Sequence, residues 1–282
     1  MRGADQPIRC YVINLDRSGE RLKHFTRNAM DQGLEFTRIP AVDGWDIGID
    51  LQEKLLKKSC GLLPIGPGEM GCFLSHRKAW KEILDQDEDW AFVSEDDVHF
   101  CGASEFFRNS RWIPAHAMLI KAETARQRVR LDTTVIARRF GHELRSLQSY
   151  HGGSAGYFVS SFGARVLLRQ TTDRCDPLDH LLFSKDFGLF DQVNILQLDP
   201  AICVQDYLVR TKCRYLQSTL DEDRKESRKT QGMHGKLGGL AKIQRELSRS
   251  FIRISQFTFS KLLTILGIRI IKKIGYTGDS QP

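Results

Sequence analysis

At 282 residues, 41% hydrophobic and 27% charged, the chain has an ordinary globular composition and is long enough for one large α/β domain with an appendage, or for two small domains. Its net charge of +7 sits at one end: residues 221–282 hold 13 Lys+Arg against 6 Asp+Glu, leaving 29 of each sign in the first 220 residues. A neutral body with a basic tail argues against a nucleic-acid-binding face and for one anionic surface met at the C-terminal end.

Residues 9–14, RCYVIN, predict a first buried strand. The following stretch carries Leu22, Phe25 and Met30 near helical spacing, with Gly33 as a stop signal. EFTRIPAVDG then reads as a short second strand ending at a turn, which completes a βαβ unit. The first 30 residues lack the basic-then-apolar layout of a signal peptide, so a cytoplasmic protein is expected. The seven cysteines are scattered without a CxxC pair, which fits a reducing compartment better than a disulfide framework or a zinc site.

A helix is predicted over 69–85, with Met70, Phe73, Leu74, Arg77 and Trp80 at spacings of three and four. The apolar run WAFVS follows and leads straight into Glu95, Asp96 and Asp97. Further strands are expected at AMLIKAE (117–123) and GYFVSS (156–161), the latter feeding the helix FGARVLLRQ; RQRVRLD is ambiguous. NILQLDPAICVQ closes the regular region, so an α/β domain is expected over 1–215. Residues 216–282 divide into a polar linker and a basic amphipathic helix with Leu240, Ile243, Leu247, Phe251 and Ile254 on one face. The later run FTFSKLLTILGIRII is too short and too charged to span a bilayer and fits a segment lying on an anionic membrane, or a helix packed on protein.

Glu95, Asp96 and Asp97 hold the chemistry. Two unit charges about 4 Å apart at an effective dielectric of about 20 repel by roughly 4 kcal/mol, so this triplet is solvated, partly protonated or neutralised. Strand alternation sends Glu95 and Asp97 one way and Asp96 the other, and paired carboxylates at a strand end suit Mg²⁺ or Mn²⁺. A solvated acidic turn is the plain alternative; the buried strand before it and Val98 and Phe100 after it weigh against that. GPGEMG (66–71) matches the dinucleotide pattern G-x-G-x-x-G but lacks a preceding strand. Ser75 and His76 fall inside a helix, where His76 reads as a structural hydrogen-bonder. HGGSAGY (151–157) is a tight turn, or a place where Gly153 and Gly156 let backbone approach a ligand.

YVINLDRSGERL, AVDG, GEMGCFLSHRKAW, VSEDDVHF, SAGYFVSSFGARVLL and DPLDHLL together, in this order over residues 9–205, resemble glycosyltransferase family 25, the lipopolysaccharide and lipooligosaccharide biosynthesis family. Ser94 departs from that family's fully apolar strand. The resemblance implies a GT-A-like, Rossmann-like sheet flanked by helices and transfer of a sugar, typically galactose from UDP-galactose with inversion, to a lipid-linked oligosaccharide. It places Glu95 and Asp97 on a divalent cation (Mn²⁺ or Mg²⁺), Asp96 on the ribose or within the loop, and Asn14, Arg17, Arg21 and Asp43 along the nucleotide. Asp179 is the first candidate for the base, Asp176 the second and Asp191 an outsider. A carboxylate-dependent hydrolase and a non-catalytic membrane-bound scaffold are the competing readings; a haloacid-dehalogenase-type site would need DxDxT, which is absent at the cluster. Peripheral localisation on the inner face of the cytoplasmic membrane is expected from the basic tail together with the lipid-linked acceptor that the resemblance implies.

Overall fold

The computed structural model describes residues 5–209 and 266–280. The first half runs β1 (Arg9–Asn14), α1 (Gly19–Asp31), β2 (Phe36–Pro40), α2 (Ile49–Lys57), α3 (Pro67–Asp85), β3 (Trp90–Glu95), β4 (Val98–Phe100) and α4 (Ser104–Phe107). Then come β5 (Leu119–Lys121), β6 (Arg128–Asp132), β7 (Ala137–Arg139), β8 (His142–Ser146), β9 (Gly156–Ser160), α5 (Ser161–Gln170), α6 (Leu178–Phe183), β10 (Ile195–Asp199), β11 (Cys203–Gln205) and β12 (Arg269–Lys273).

Eight strands form one mixed sheet in the order β2-β1-β3-β9-β5-β10-β8-β7. β2, β1 and β3 are parallel, as are β5 and β10, while β9 runs antiparallel between β3 and β5. Helices cover both faces, so the central strands are buried on both sides and read as continuous apolar runs instead of alternating ones. On one face Tyr11, Ile13, Ala91, Val93, Tyr157 and Val159 pack with Phe73, Trp80 and Ile83 of α3 and Leu167 of α5. On the other, Cys10, Val12, Phe92 and Phe158 pack with Phe25 and Ala29 of α1 and with Phe106 and Phe107. Burying each such large side chain contributes about 1.5–3 kcal/mol.

Local signals fix the helix ends. Glu69 in the first turn of α3 accepts from the Gly66 N–H (3.0 Å), and Ser160 caps α5 by accepting from the Gly163 N–H (3.0 Å). β3 ends at Glu95; Asp96 and Asp97 make the turn into β4, which pairs antiparallel with β11 in a separate two-stranded sheet.

The C-terminal residues differ from the expected surface helix. Arg269–Lys273 pair antiparallel with β6, whose Val129 and Leu131 are buried while Arg128, Arg130 and Asp132 are not. Within the strand, Ile270 packs on the core and Ile271 is exposed, so the period is two and not 3.6. Ile274 is fully buried, its carbonyl accepts from Thr124 Oγ1 (2.9 Å), and Arg126 grips Asp279 with two hydrogen bonds of 2.5 and 2.9 Å. The last fifteen described residues therefore belong to the same body as residues 5–209. The amphipathic helix expected at 240–254 lies outside the described residues. Among the described residues no helix is long and apolar enough to cross a membrane.

Candidate active site

The carboxyl ends of β1, β2 and β3 open onto a cavity of about 220 Å³, the position where open α/β sheets bind ligands. Arg17, Arg21, Asp43, Glu95, Asp96, Asp97, Gly153 and Asp179 all line it. Asn14, Gly156 and Asp176 do not. Asn14 stands directly behind, whereas Asp176 is turned away: its carboxylate accepts from Ser59 Oγ (2.7 Å) and the Cys60 N–H (3.0 Å), tying the segment after α2 to the segment before α6. Asp191 is also absent from the lining.

The three carboxylates are held differently. Glu95 is the last residue of β3 and shares the parity of Ala91 and Val93, which faces it toward α3. Asp96 has the opposite parity and meets α1: Arg21 reaches its Oδ1 at 2.5 Å, and Asn14 Nδ2 donates to its Oδ2 at 2.7 Å. Asn14 is itself oriented by Arg38 Nε, which donates to Oδ1 at 2.9 Å. Asp97 departs from the expected alternation. The chain has already turned, so Asp97 sits beside Asp96, 3.1 Å from the same Arg21 guanidinium, and accepts from Gln205 Nε2 at 3.4 Å.

One guanidinium does not balance this charge. Burial pushes Asp97 up to about 7, with Glu95 and Asp96 adding to the rise against the pull of Arg21. Burial raises Asp96 as well, more than Arg21 and Asn14 lower it. Burial would raise Glu95 too, but His76, Ser154 and Arg21 together hold it below its ordinary value.

The contact with His76 arises from a buried relay. Trp80 Nε1 donates to the Tyr157 hydroxyl (2.8 Å), which lies 2.8 Å from His76 Nδ1. Burial keeps the Tyr157 phenol protonated and the indole can only donate, so the hydroxyl proton goes to His76 Nδ1. That leaves the ring proton on Nε2, facing Glu95 Oε1 at 3.6 Å, while Ser154 Oγ donates to the same oxygen at 3.1 Å. His76 is thus a hydrogen-bonder to Tyr157, as its helical position suggests, and its Nε2 faces a site carboxylate from beyond hydrogen-bond distance. Glu69, Cys72 and His76 lie at spacings of three and four along α3 and line the cavity from one helix face; that spacing was the available signal for them.

Across the cavity, Asp179 opens the first turn of α6. It accepts from the Tyr150 hydroxyl (2.7 Å), the Gly153 N–H (3.3 Å) and the His180 N–H (2.9 Å). Burial opposes ionisation here, but His180, Tyr150 and these N–H groups outweigh it and keep the carboxyl below its usual range. Gly153 adopts a positive φ of 83°, and a Cβ there would run into the Glu123 carboxylate. Its carbonyl accepts from Lys121 Nζ (2.5 Å), and Lys121 is fully buried against Glu123 at 3.1 Å. The Gly153 backbone is therefore committed to holding Asp179 and Lys121, and Gly156 makes room for Cys203.

At the rim, Arg17 forms an ion pair with Asp43, whose carboxylate also caps the Trp45 N–H at 3.1 Å. Gly71 of GPGEMG serves packing, since a Cβ there would come within 2.6 Å of the Val42 carbonyl, and a Cβ on Gly44 of AVDG would strike the Pro67 carbonyl. The AVDG turn thus lies against the start of α3 with no side chain between them. Trp45 (50% exposed) and Tyr207 (44% exposed) present ring surface at the mouth, and neither motif spacing nor strand alternation pointed to them.

The donor set suits a hard divalent cation. Glu95 and Asp97 offer oxygen ligands in a cavity whose negative charge is only partly met by Arg21; the Asp97 carboxyl is raised by burial first, with Glu95 and Asp96 adding to it. Cys72, His76 and Glu95 also place one ligand atom each within 4.8 Å of one another. Burial, with Glu95 and Asp179 nearby, drives the Cys72 thiol well above its usual value, so it is a poor ligand there.

The chain is similar to the lacto-N-neotetraose biosynthesis glycosyltransferase LgtB of Neisseria meningitidis serogroup B, 28% identical over 275 residues that span 88% of this chain and 97% of that protein. It is 26% identical to LgtB of Neisseria gonorrhoeae over 84% of this chain and 92% of that protein. The lipooligosaccharide biosynthesis protein lex-1 of Haemophilus influenzae is 27% identical, over 66% of this chain and 65% of that protein. Residues 8–182, which carry the first three strands, α3, the carboxylate turn and Asp179, match glycosyltransferase family 25 (LPS biosynthesis protein), and the chain belongs to that family.

Proposed function

We propose that the cavity transfers a hexose, galactose foremost, from its UDP-activated form to a hydroxyl of a lipopolysaccharide or lipooligosaccharide acceptor, with inversion at the anomeric carbon, on a GT-A-like scaffold. The observation that carries this reading is the division of carboxylates between two walls. Three stand at the carboxyl end of β3, and a fourth, Asp179, is held ionised opposite them. Names of relatives supply the acceptor class: they are lacto-N-neotetraose and lipooligosaccharide biosynthesis proteins.

In this account Asp96 is a structural carboxylate, tied by Asn14 and Arg21, and it fixes the turn that presents its neighbours. Glu95 and Asp97 would hold Mn²⁺ or Mg²⁺, which supplies charge compensation for the departing diphosphate. Arg17 offers its guanidinium to the phosphates once the anion competes with Asp43. Asp179 takes the proton from the acceptor hydroxyl as its oxygen bonds to the anomeric carbon and the bond from that carbon to UDP breaks. Its Oδ2 already faces two donors and Oδ1 one, so the carboxylate is oriented before substrate arrives.

The test is transfer measured with a panel of UDP-sugars and a terminal-saccharide acceptor. Asp179→Asn should lower turnover by roughly 10²–10⁴-fold while UDP binding is kept. Near-normal turnover in that variant would remove Asp179 from the role. No transfer by the wild-type chain from any donor would favour the scaffold reading.

The basic residues Lys242, Arg245, Arg249 and Arg253 fall outside the described region; we assign them to contact with an anionic membrane surface on the cytoplasmic side, where the lipid-linked acceptor is met. Replacing all four by Gln should weaken sedimentation with anionic vesicles. Unchanged sedimentation would contradict the assignment.

A further inference from the structure

Behind the carboxylate turn, on the side away from the cavity, two imidazoles and a carboxylate converge from three different elements. His24 lies on α1 one turn after Arg21, His99 is the middle residue of β4 two residues after Asp97, and Asp206 follows β11 between Gln205 and Tyr207. His99 Nε2 lies 2.8 Å from Asp206 Oδ1, the rings of His24 and His99 meet edge to face with centroids 4.7 Å apart, and one ligand atom from each of the three falls within 4.8 Å of the others. The Asp206 side chain is 3% exposed and that of His99 15%.

We propose that His24, His99 and Asp206 form a second metal site, for a borderline d-block cation of the Zn²⁺ class, which braces the cavity floor from behind and is separate from any cation held by Glu95 and Asp97. Two nitrogens and one carboxylate oxygen make a common protein ligand set for such an ion and a poor one for Mg²⁺, which prefers oxygen and keeps its water. Ligand atoms about 2.0–2.1 Å from a tetrahedral ion stand about 3.3 Å apart. The 2.8 Å His99–Asp206 contact would open slightly and the widest separation would close, both within the reach of side-chain rotation.

The placement gives the ion a task. It would link α1, which carries Arg21, to the β4–β11 pair, whose strands lead directly to Asp97 and Gln205. The Asp206 N–H already donates to the Asp97 carbonyl at 2.8 Å, so a ligand bond at Asp206 is coupled to the turn through one peptide. Without an ion the same groups make a buried hydrogen bond beside a ring contact, and the two states differ in a measurable way.

The test uses the full chain stripped of metal and titrated with Co²⁺ in excess Mg²⁺, so that the oxygen site is already filled. The expected result is the intense visible absorption of tetrahedral Co²⁺, bleached by Zn²⁺, lost in His24→Gln and in His99→Gln, and retained in Asp97→Asn. Circular dichroism identifies any variant that has not folded; His24→Gln, at a partly exposed position on a helix surface, keeps the test decisive if His99→Gln unfolds. Absence of the absorption in the wild-type chain, or its persistence in folded His24→Gln, would overturn the proposal. Loss in Asp97→Asn with retention in His24→Gln would place the ion in the cavity and overturn it equally.

Discussion

Asn14 at the end of β1 and Asp96 after β3 are joined by a 2.7 Å hydrogen bond from Nδ2 to Oδ2, and this bond ties the middle one of three adjacent carboxylates to the first strand. Asn14 is 2% exposed and is held by Arg38 on its other oxygen, so the amide cannot turn away. Asp96 thereby anchors the turn, while still lining the cavity beside Glu95 and Asp97.

Asn14→Ala should therefore leave a buried carboxylate oxygen short of a donor, at a cost of about 1–3 kcal/mol. Chemical denaturation should show that loss, and UDP affinity should fall with it because the turn loses its support. An unchanged denaturation midpoint would mean that Arg21 alone holds Asp96.

Lys121 and Glu123 are both fully buried beneath the glycine turn, and Lys121 also lies 4.2 Å from the centre of the Phe183 ring. Removing one partner of a buried pair leaves an uncompensated charge, so Lys121→Met should destabilise the protein by about 3–5 kcal/mol. Adding Glu123→Gln should recover part of it. If the single and double variants melt alike, the pair contributes no coupling.

His151 gives the acid limb of the stability curve. Burial, with the Lys121 charge nearby, lowers it to about 3, and its Nδ1 lies 2.7 Å from Gln197 Oε1 while Nε2 accepts from the Ala125 N–H at 3.1 Å. Its folded value lies below the unfolded value of about 6.5, so the unfolded chain binds the extra proton and stability is lost as pH falls from about 6.5 toward 3. His151→Gln should flatten that part of the denaturation-midpoint profile. A profile identical to that of the wild type between pH 6.5 and 4 would assign the loss to other groups.

Much of this arrangement is legible in the sequence where local rules govern. β1, β3 and β9 are continuous apolar runs because helices cover both faces, and alternation along β3 separates Glu95 from Asp96. Asp97 escapes that rule because the chain turns at Asp96, and no residue-level signal tells a turn from one more extended residue. The role of His76 depends on α3 packing on the sheet where the Tyr157 hydroxyl of β9 reaches its ring; nothing within FLSHRKAW contains that long-range contact. Asp176 and Asp179 are three residues apart in DPLDHLL, and only the start of α6 at Leu178 decides which of them enters the cavity. Arg269–Lys273 carries a short apolar run that suits helix or strand equally, and the open edge of β6 settles it as a strand.

Calorimetric binding of UDP with and without Mn²⁺, to the wild-type chain and to Asp97→Asn, reads the proposed cation site on the donor diphosphate. Binding should require the cation in the wild type and weaken at least tenfold in the variant. Equal UDP affinity with and without Mn²⁺, unaffected by Asp97→Asn, would contradict the assignment of Glu95 and Asp97 to a cation on the donor diphosphate.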